Sequence, residues 1–363
     1  MSKFVKTGVC VLAAFLLGCG SGGSDSTSTT DNITTDNTIV SKVVPVTKNS
    51  FNFSVKKMVT DKNSTIFTCL ADNSAGIFHI ENNQSITFLS KYTLGADCND
   101  LDYSNDKLAV ITEGTSGKVY LIDVKNRNNP LLLDYISGAH NEEYAGKSLE
   151  YNGTNIFYVD PSGNFVTLDA TEPTHLTEID KVFVGVKIAG VTLRPRVFDI
   201  NKDNNITYVA SQKYIVAVDS KKVGNFEIID KTNISYYLSK LRVINNDYAI
   251  GMRSSFNGLV VINVFNPHNI YVRKVIYNPN GSNDYRFYDF TIDGKYLYAL
   301  AKTALREENS IDIIKYDISD PENIVMVSRK RVEDYPFNRI VVNGNYIYIS
   351  YKTHIYVIKK SDI

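Results

Sequence analysis

Five arginines set the chemical possibilities of this sequence. Arg194, Arg196, Arg242, Arg286 and Arg339 each stand near the start of a run of alternating β-branched and aromatic residues. A guanidinium is a planar, permanently charged fork of donors, so several gathered at one place would bind a carboxylate, a phosphate or an acidic sugar. Asp97, Asp100, Asp199 and Asp289 occupy the same neighbourhoods, and a ring of ion pairs accounts for the arginines equally well. The bunching of Asp97, Asn99, Asp100 and Asp102 offers oxygen ligands of the kind calcium wants. It lacks the glycine and terminal glutamate of an EF-hand loop, and reads better as a turn whose short side chains cap backbone groups. His79, His140, His175, His268 and His354 form no HxH or HExxH spacing, and no CxxC pair exists, so the sequence supports no metal site, cofactor or catalytic set.

The elements that would carry these residues are strands. Runs such as 118–122 (KVYLI), 165–168 (FVTL), 215–218 (IVAV), 259–262 (LVVI) and 355–358 (IYVI) recur from residue 39 to the end. They have strand length and β-branched content, and no segment sustains a 3.6-residue period. Asn105-Asp106, Asn152-Gly153, Asn246-Asp247, Asp293-Gly294 and Asn343-Gly344 lie between them, pairs that tolerate positive φ and close tight antiparallel turns.

The residues closing the strongest strands are Glu81, Asp123, Asp169, Asp219, Asn263, Asp317 and Lys359, separated by 42, 46, 50, 44, 54 and 42 residues. That period suits a four-stranded propeller blade and is too long for a leucine-rich repeat. The expectation is an all-β chain, a seven-bladed β-propeller of four-stranded antiparallel blades. Turns ending in Pro130, Pro173, Pro267 and Pro321 follow four of the landmarks and would steer the chain into an outer strand, where a missing N–H matters least. Lys359 lies four residues from the C-terminus, so the seventh blade lacks its outer strand; residues 39–46 (IVSKVVPV) could supply it and close the ring. In such a ring the starts of the innermost strands converge on one mouth of the central channel, which is where the five arginines would gather. The longer spacings mark extra loops at 181–196, 278–286 and 302–310, placed as insertions on one face.

The repeat of strand, Gly or Asn turn, strand, then Gly-x-Val-x-x-(Ile/Val)-Asp-x-x-x-Pro resembles the LVIVP repeat of bacterial and archaeal surface proteins. Its best copies are 100–130 and 289–321; the copy at 199–219 has lost the proline turn. The resemblance implies an extracytoplasmic interaction or scaffold domain and brings no catalytic motif.

The N-terminus carries an address. Lys3 and Lys6 precede an apolar stretch, 9–17, too short to span a bilayer, and Leu16-Leu17-Gly18-Cys19 resembles the lipobox of bacterial lipoproteins. The resemblance implies cleavage before Cys19 and diacylation of that residue; Gly20, rather than Asp, after it favours the outer membrane if the organism is Gram-negative. The chain then divides into a signal peptide (1–18), a polar tether (19–38) of small residues that cannot bury a core, and the propeller (39–363). Cys69 and Cys98 remain in the folded part, where export to an oxidising compartment permits a disulfide and burial permits two separate thiols.

Lys and Arg number 39, as do Asp and Glu, so no overall electrostatic footprint points to nucleic acid. The expected protein is a monomer held at the bacterial cell envelope through lipidated Cys19, binding or scaffolding a protein or a small anionic or glycan ligand. An enzyme, a hydrolase or lyase working at the channel mouth, and an envelope assembly factor are the alternative readings.

Overall fold

A computed structural model describes residues 43–363 apart from 115–116, 139–147, 161, 189–190, 255–257, 277–284, 304–310 and 333–338. Seven four-stranded antiparallel sheets follow one another along the chain. Their innermost strands are Val55–Thr60, Cys98–Ser104, Leu149–Tyr151, Val197–Asn201, Leu238–Val243, Tyr285–Asp293 and Arg339–Asn343, which begin blades 1 to 7 in order. The third strands are Ser74–Ile80, Lys118–Asp123, Asn164–Asp169, Tyr214–Asp219, Leu259–Asn263, Ile311–Asp317 and His354–Lys359, and the seven landmark residues end or directly follow them. Both faces of these strands pack against neighbouring blades, which is why Val119, Tyr120, Leu121 and Ile122 are all buried and why the apolar runs are continuous rather than alternating.

Among the described residues the core divides into seven clusters, one per junction between blades. Phe67, Ile77 and Leu101 join blade 1 to blade 2, and Phe157, Phe165 and Phe198 join blade 3 to blade 4. Tyr348, Ile355 and Val357 of blade 7 pack on Val55, Ile66 and Phe78 of blade 1, so the first and last blades meet through the same kind of apolar contact as the rest.

The outer position of blade 7 is held by Thr47–Ser50, antiparallel to His354–Lys359. Of the strand expected at 39–46, residues 39–42 lie outside the described residues and 43–46 form no strand. Pro45 has no N–H to give a ladder, and Val43 instead donates its N–H to Arg331 O on the outer strand of blade 6, 2.8 Å away. Pairing with blade 7 begins only past the proline, where Val46 N reaches Val357 O at 2.7 Å.

Turn chemistry follows the sequence with one exception. Asn105 and Asp106 both take positive φ, 50° and 56°, as a two-residue hairpin turn of mirrored type requires. At Asn246-Asp247 neither residue does; Asn245 Oδ1 accepts the N–H groups of Asp247 and Tyr248, both at 2.9 Å, and shapes that turn with its side chain. The landmark aspartates act similarly, Asp123, Asp169, Asp219 and Asp317 each accepting the N–H two residues on at 2.7–2.9 Å. Of the expected insertions, the first is partly a hairpin of Val186–Ile188 and Val191–Leu193. Residues 277–284 and 304–310 of the other two lie outside the described residues.

Cys69, on the second strand of blade 1, and Cys98, on the first strand of blade 2, form a disulfide with Cα atoms 5.3 Å apart. Both are buried in the cluster between those blades. Reducing it, or substituting both residues by Ser, should lower unfolding free energy by about 2–4 kcal/mol. Urea unfolding with and without reductant checks this, and identical midpoints would refute it.

Candidate functional site

The innermost strands face a central channel, and what they present there depends on a bulge. In blades 1, 2, 5 and 6 the pairing of first and second strands slips by one residue, between Val55 and Lys57, Cys98 and Asp100, Leu238 and Lys240, and Phe287 and Asp289. A bulge re-aims the side chain that follows it. Here Lys57, Asp100, Lys240 and Asp289 all line one cavity of about 320 Å³, together with Arg242 and Arg339. A second cavity of about 320 Å³ is lined by Glu150, Asp199, Lys202 and Asp203, and Arg242 lines both.

The carboxylates clasp the next blade. Asp100 Oδ2 accepts Ser148 N at 2.6 Å and Leu149 N at 3.3 Å, tying blade 2 to blade 3. Asp102 Oδ2 accepts Tyr151 N at 2.9 Å across the same junction. Asp199 Oδ2 accepts Val243 N at 2.7 Å from blade 4 to blade 5, and Asp289 Oδ2 accepts Ile340 N at 3.0 Å from blade 6 to blade 7. Asp100 and Asp102, grouped in the sequence as possible calcium ligands, thus cap backbone groups, of the neighbouring blade as well as of their own strand, where Leu101 N and Tyr103 N also donate to them. Among the described residues no group of three or more His, Cys, Asp or Glu is placed to hold a metal.

Asp289, Asp199 and Asp100 each have a basic partner. Lys240 Nζ lies 2.5 Å from Asp289 Oδ1, Arg242 Nη1 3.0 Å from Asp199 Oδ1, and Lys57 Nζ 3.5 Å from Asp100 Oδ1. Burial pushes the Lys57 ammonium below its ordinary value against the pull of Asp100, and pushes Lys240 down from 10.5 to about 8. Burial acts to raise the Asp289 carboxyl, but Lys240 and Arg339 outweigh it and hold it below the usual range. Arg242 is lifted because Asp199 and Glu150 outweigh the burial that opposes them.

Of the five arginines singled out by sequence, Arg242 and Arg339 line the channel cavities. Arg194, Arg196 and Arg286 are not among the lining residues. Arg194 is exposed just after the hairpin inserted between blades 3 and 4, Arg196 lies with its guanidinium carbon 5.9 Å from the Tyr237 ring centre, and Arg286 is exposed at the start of its strand, ahead of the bulge at Tyr288. Sequence reasoning missed Lys57, Lys240 and Glu150. Superposing the repeats could have found the lysines, since Val55, Cys98, Leu238 and Phe287 are each followed two residues later by a charged side chain.

No protein-family model and no curated protein matches this sequence. Solved structures do. The chain is similar to the WD40 β-propeller domain of Doa1, with a TM-score of 0.60 at 11% identity over 88% of this chain and 98% of that one. It is also similar to Sqt1 of Saccharomyces cerevisiae (0.58, 14%, 86% and 83%) and to Raptor of Chaetomium thermophilum (0.61, 10%, 87% and 29%). Identities this low speak to fold alone: the chain is a seven-bladed β-propeller.

Removing the Asp289 carboxylate strands Lys240 and the Ile340 N–H together. Asp289→Ala should therefore cost about 3–5 kcal/mol. Asp134→Ala, which removes a half-buried acceptor of Leu176 N and Tyr135 N and leaves no buried charge behind, should cost about 1 kcal/mol. Urea denaturation of both variants tests the ranking, and equal losses would contradict a structural role for the channel pair.

Lys240 also carries a pH signature. Its folded value of about 8 lies below the 10.5 of the unfolded chain, so between the two the unfolded chain holds more protons and stability gains from this group as pH rises. Below about 8 both states are charged and the contribution is flat. Asp289, Arg242 and Lys57 face the same amine. Comparison with Lys240→Arg, which stays charged throughout, isolates it: wild type should show the steeper rise between pH 8 and 10, and parallel curves would refute the shift.

Proposed function

We propose that this propeller is a lipid-anchored binding or scaffold module on the outside of a bacterial cytoplasmic or outer membrane, with a protein as its partner, and that it belongs with the LVIVP-repeat surface proteins its sequence resembles. The observation that carries the binding reading is the rim. On the outer strand of blade 6, Val325, Met326 and Val327 are consecutive and exposed at 59%, 42% and 50%, and on that of blade 2 Leu131, Leu132 and Tyr135 are exposed as well. Outer strands usually blunt their edges with charge; adjacent exposed apolar side chains suit a protein contact. The buried Cys69–Cys98 disulfide supports an oxidising compartment and so favours export. Leu16-Leu17-Gly18-Cys19 and the polar segment after it favour lipidation and a tether.

The experiment pairs a labelled fatty acid with photo-cross-linking in intact cells. Wild type should take up the label and fractionate with membranes, whereas Cys19→Ser should do neither. A photoreactive residue at position 326 or 132 should capture a discrete protein, and Val327→Asp should weaken the capture at 326. Absence of a cross-linked protein from both positions would overturn the scaffold reading, and continued labelling of Cys19→Ser the lipoprotein reading.

A further inference from the structure

One end of blades 3 to 5 carries a patch that neither the channel nor the rim accounts for. In antiparallel blades the turn from second to third strand and the connection onward to the next blade lie at the same end. Four segments at that end, 184–196, 211–214, 231–237 and 253–258, carry Lys187, Arg194, Arg196, Lys213, Lys231 and Arg253 and no carboxylate. Hydrogen bonds join them into one surface. Ser211 Oγ donates to Leu193 O at 2.7 Å, Ile234 N to Lys213 O at 2.8 Å, and Ser254 N to Tyr237 O at 2.7 Å. On the adjoining turn of blade 3 Asp160 is buried, and its oxygens accept the backbone N–H and the Nδ2 of Asn164, both at 2.8 Å.

The hairpin of Val186–Ile188 and Val191–Leu193 stands in this patch and belongs to no blade. Its base is fixed, because Val184 N and Gly185 N both donate to Gly163 O, at 2.9 and 2.8 Å. Ile188 and Val191 are cross-strand partners, so their side chains share one face, and they are exposed at 45% and 62%. Tyr237, also exposed, lies with its ring centre 5.4 Å from Lys213 Nζ and 5.9 Å from the Arg196 guanidinium carbon. Aliphatic side chains on a fixed tip, a tyrosine at its base and cations around it are the components of an interfacial membrane contact.

We infer that this face docks on an anionic lipid surface, with Ile188 and Val191 entering the headgroup layer and Lys187, Lys213 and Lys231 meeting lipid phosphates. All three lysines are exposed. Lys231 gives one donor to Gly185 O at 3.2 Å, and an ammonium has three. Arg194, Arg196 and Arg253 have further interactions of their own and add charge to the same face. Protein contacts fix their register with charges of both signs; here one sign surrounds an aliphatic tip, which suits a partner that is anionic at every lateral position. The contact is weak and reversible, as a few side chains give, and would not hold an unanchored chain through a membrane wash. Its effect is to orient a ring already held at the bilayer, and it rests on the lipid-anchored reading only for what brings the ring there.

The test places a genetically encoded, environment-sensitive fluorescent residue at position 191 of the full chain, or at 221 on the turn at the opposite end of blade 4, and adds protein-free vesicles in excess. With about 30% phosphatidylglycerol in phosphatidylcholine, the probe at 191 should shift to the blue and be quenched by nitroxide lipids, and the probe at 221 should do neither. Raising salt from about 0.05 M to about 0.5 M should reverse the shift. Lys187→Gln with Lys213→Gln should lower the docked-to-undocked ratio about 10-fold to 30-fold, while Lys221→Gln with Lys222→Gln should leave it unchanged. A probe at 191 that stays aqueous on anionic vesicles at low salt would overturn the inference. So would an equal shift on phosphatidylcholine alone, or a shift that appears only when envelope proteins are present, which would assign the face to a protein. Whether the chain stays on the vesicles at high salt decides the lipid anchor separately.

Discussion

A carboxylate on one blade accepting a backbone N–H of the next is the interaction on which this ring depends. Apolar contact between blades is abundant but indifferent to sliding, because one β-branched face packs acceptably on another over a range of offsets. A hydrogen bond from a fixed amide to a buried carboxylate has one geometry. Asp100, Asp199 and Asp289 supply it at three of the junctions around the channel. Asp134 and Asp180 repeat it toward the rim, accepting Leu176 N and Phe226 N of the following blade at 2.7 and 2.8 Å. The ring is thereby pinned at two radii.

Bulges accompany four of these five clasps, and only Asp199 acts from a strand pair in unbroken register. Blades 1 to 6 slip register between third and outer strands, and Asp134 and Asp180 each follow one of those slips. Asp100 and Asp289 follow the inner ones. Without the extra residue, strict alternation would keep each side chain on its sheet's own face. One irregularity, repeated at corresponding places, converts a stack of sheets into a circle with polar contacts between its members.

The same device loads the channel with charge. Once Asp100 and Asp289 are buried to hold their neighbours, Lys57 and Lys240 must accompany them, since an unpaired buried carboxylate would be far more costly than a paired one. Cations and carboxylates are interleaved around the circle, Lys57, Lys240 and Arg339 with Asp100, Asp102 and Asp289 in one cavity and Lys202 and Arg242 with Glu150, Asp199 and Asp203 in the other. Structural demand thus leaves a charged interior, while the rim at Val325, Met326 and Val327 stays apolar and open.

The repeat length, the number of blades, the strand identity of each segment and most of the tight turns were legible in the sequence. They rest on local chemistry: β-branched runs, Asn-Gly and Asp-Gly pairs, and an aspartate that caps its own turn. The channel was legible only in part. Arg242 and Arg339 were found, but Arg194, Arg196 and Arg286 lie outside the cavities, and Lys57 and Lys240 were missed. The placement of Lys57 and Lys240 turns on a one-residue slip between paired strands, a property of two segments that neither announces alone. The start of the outer strand of blade 7 was likewise decided by tertiary structure, through the bond from Val43 N to Arg331 O and the missing N–H of Pro45. Local sequence determined the parts and their order; register and closure, which exist only between parts, decided which charges meet at the centre.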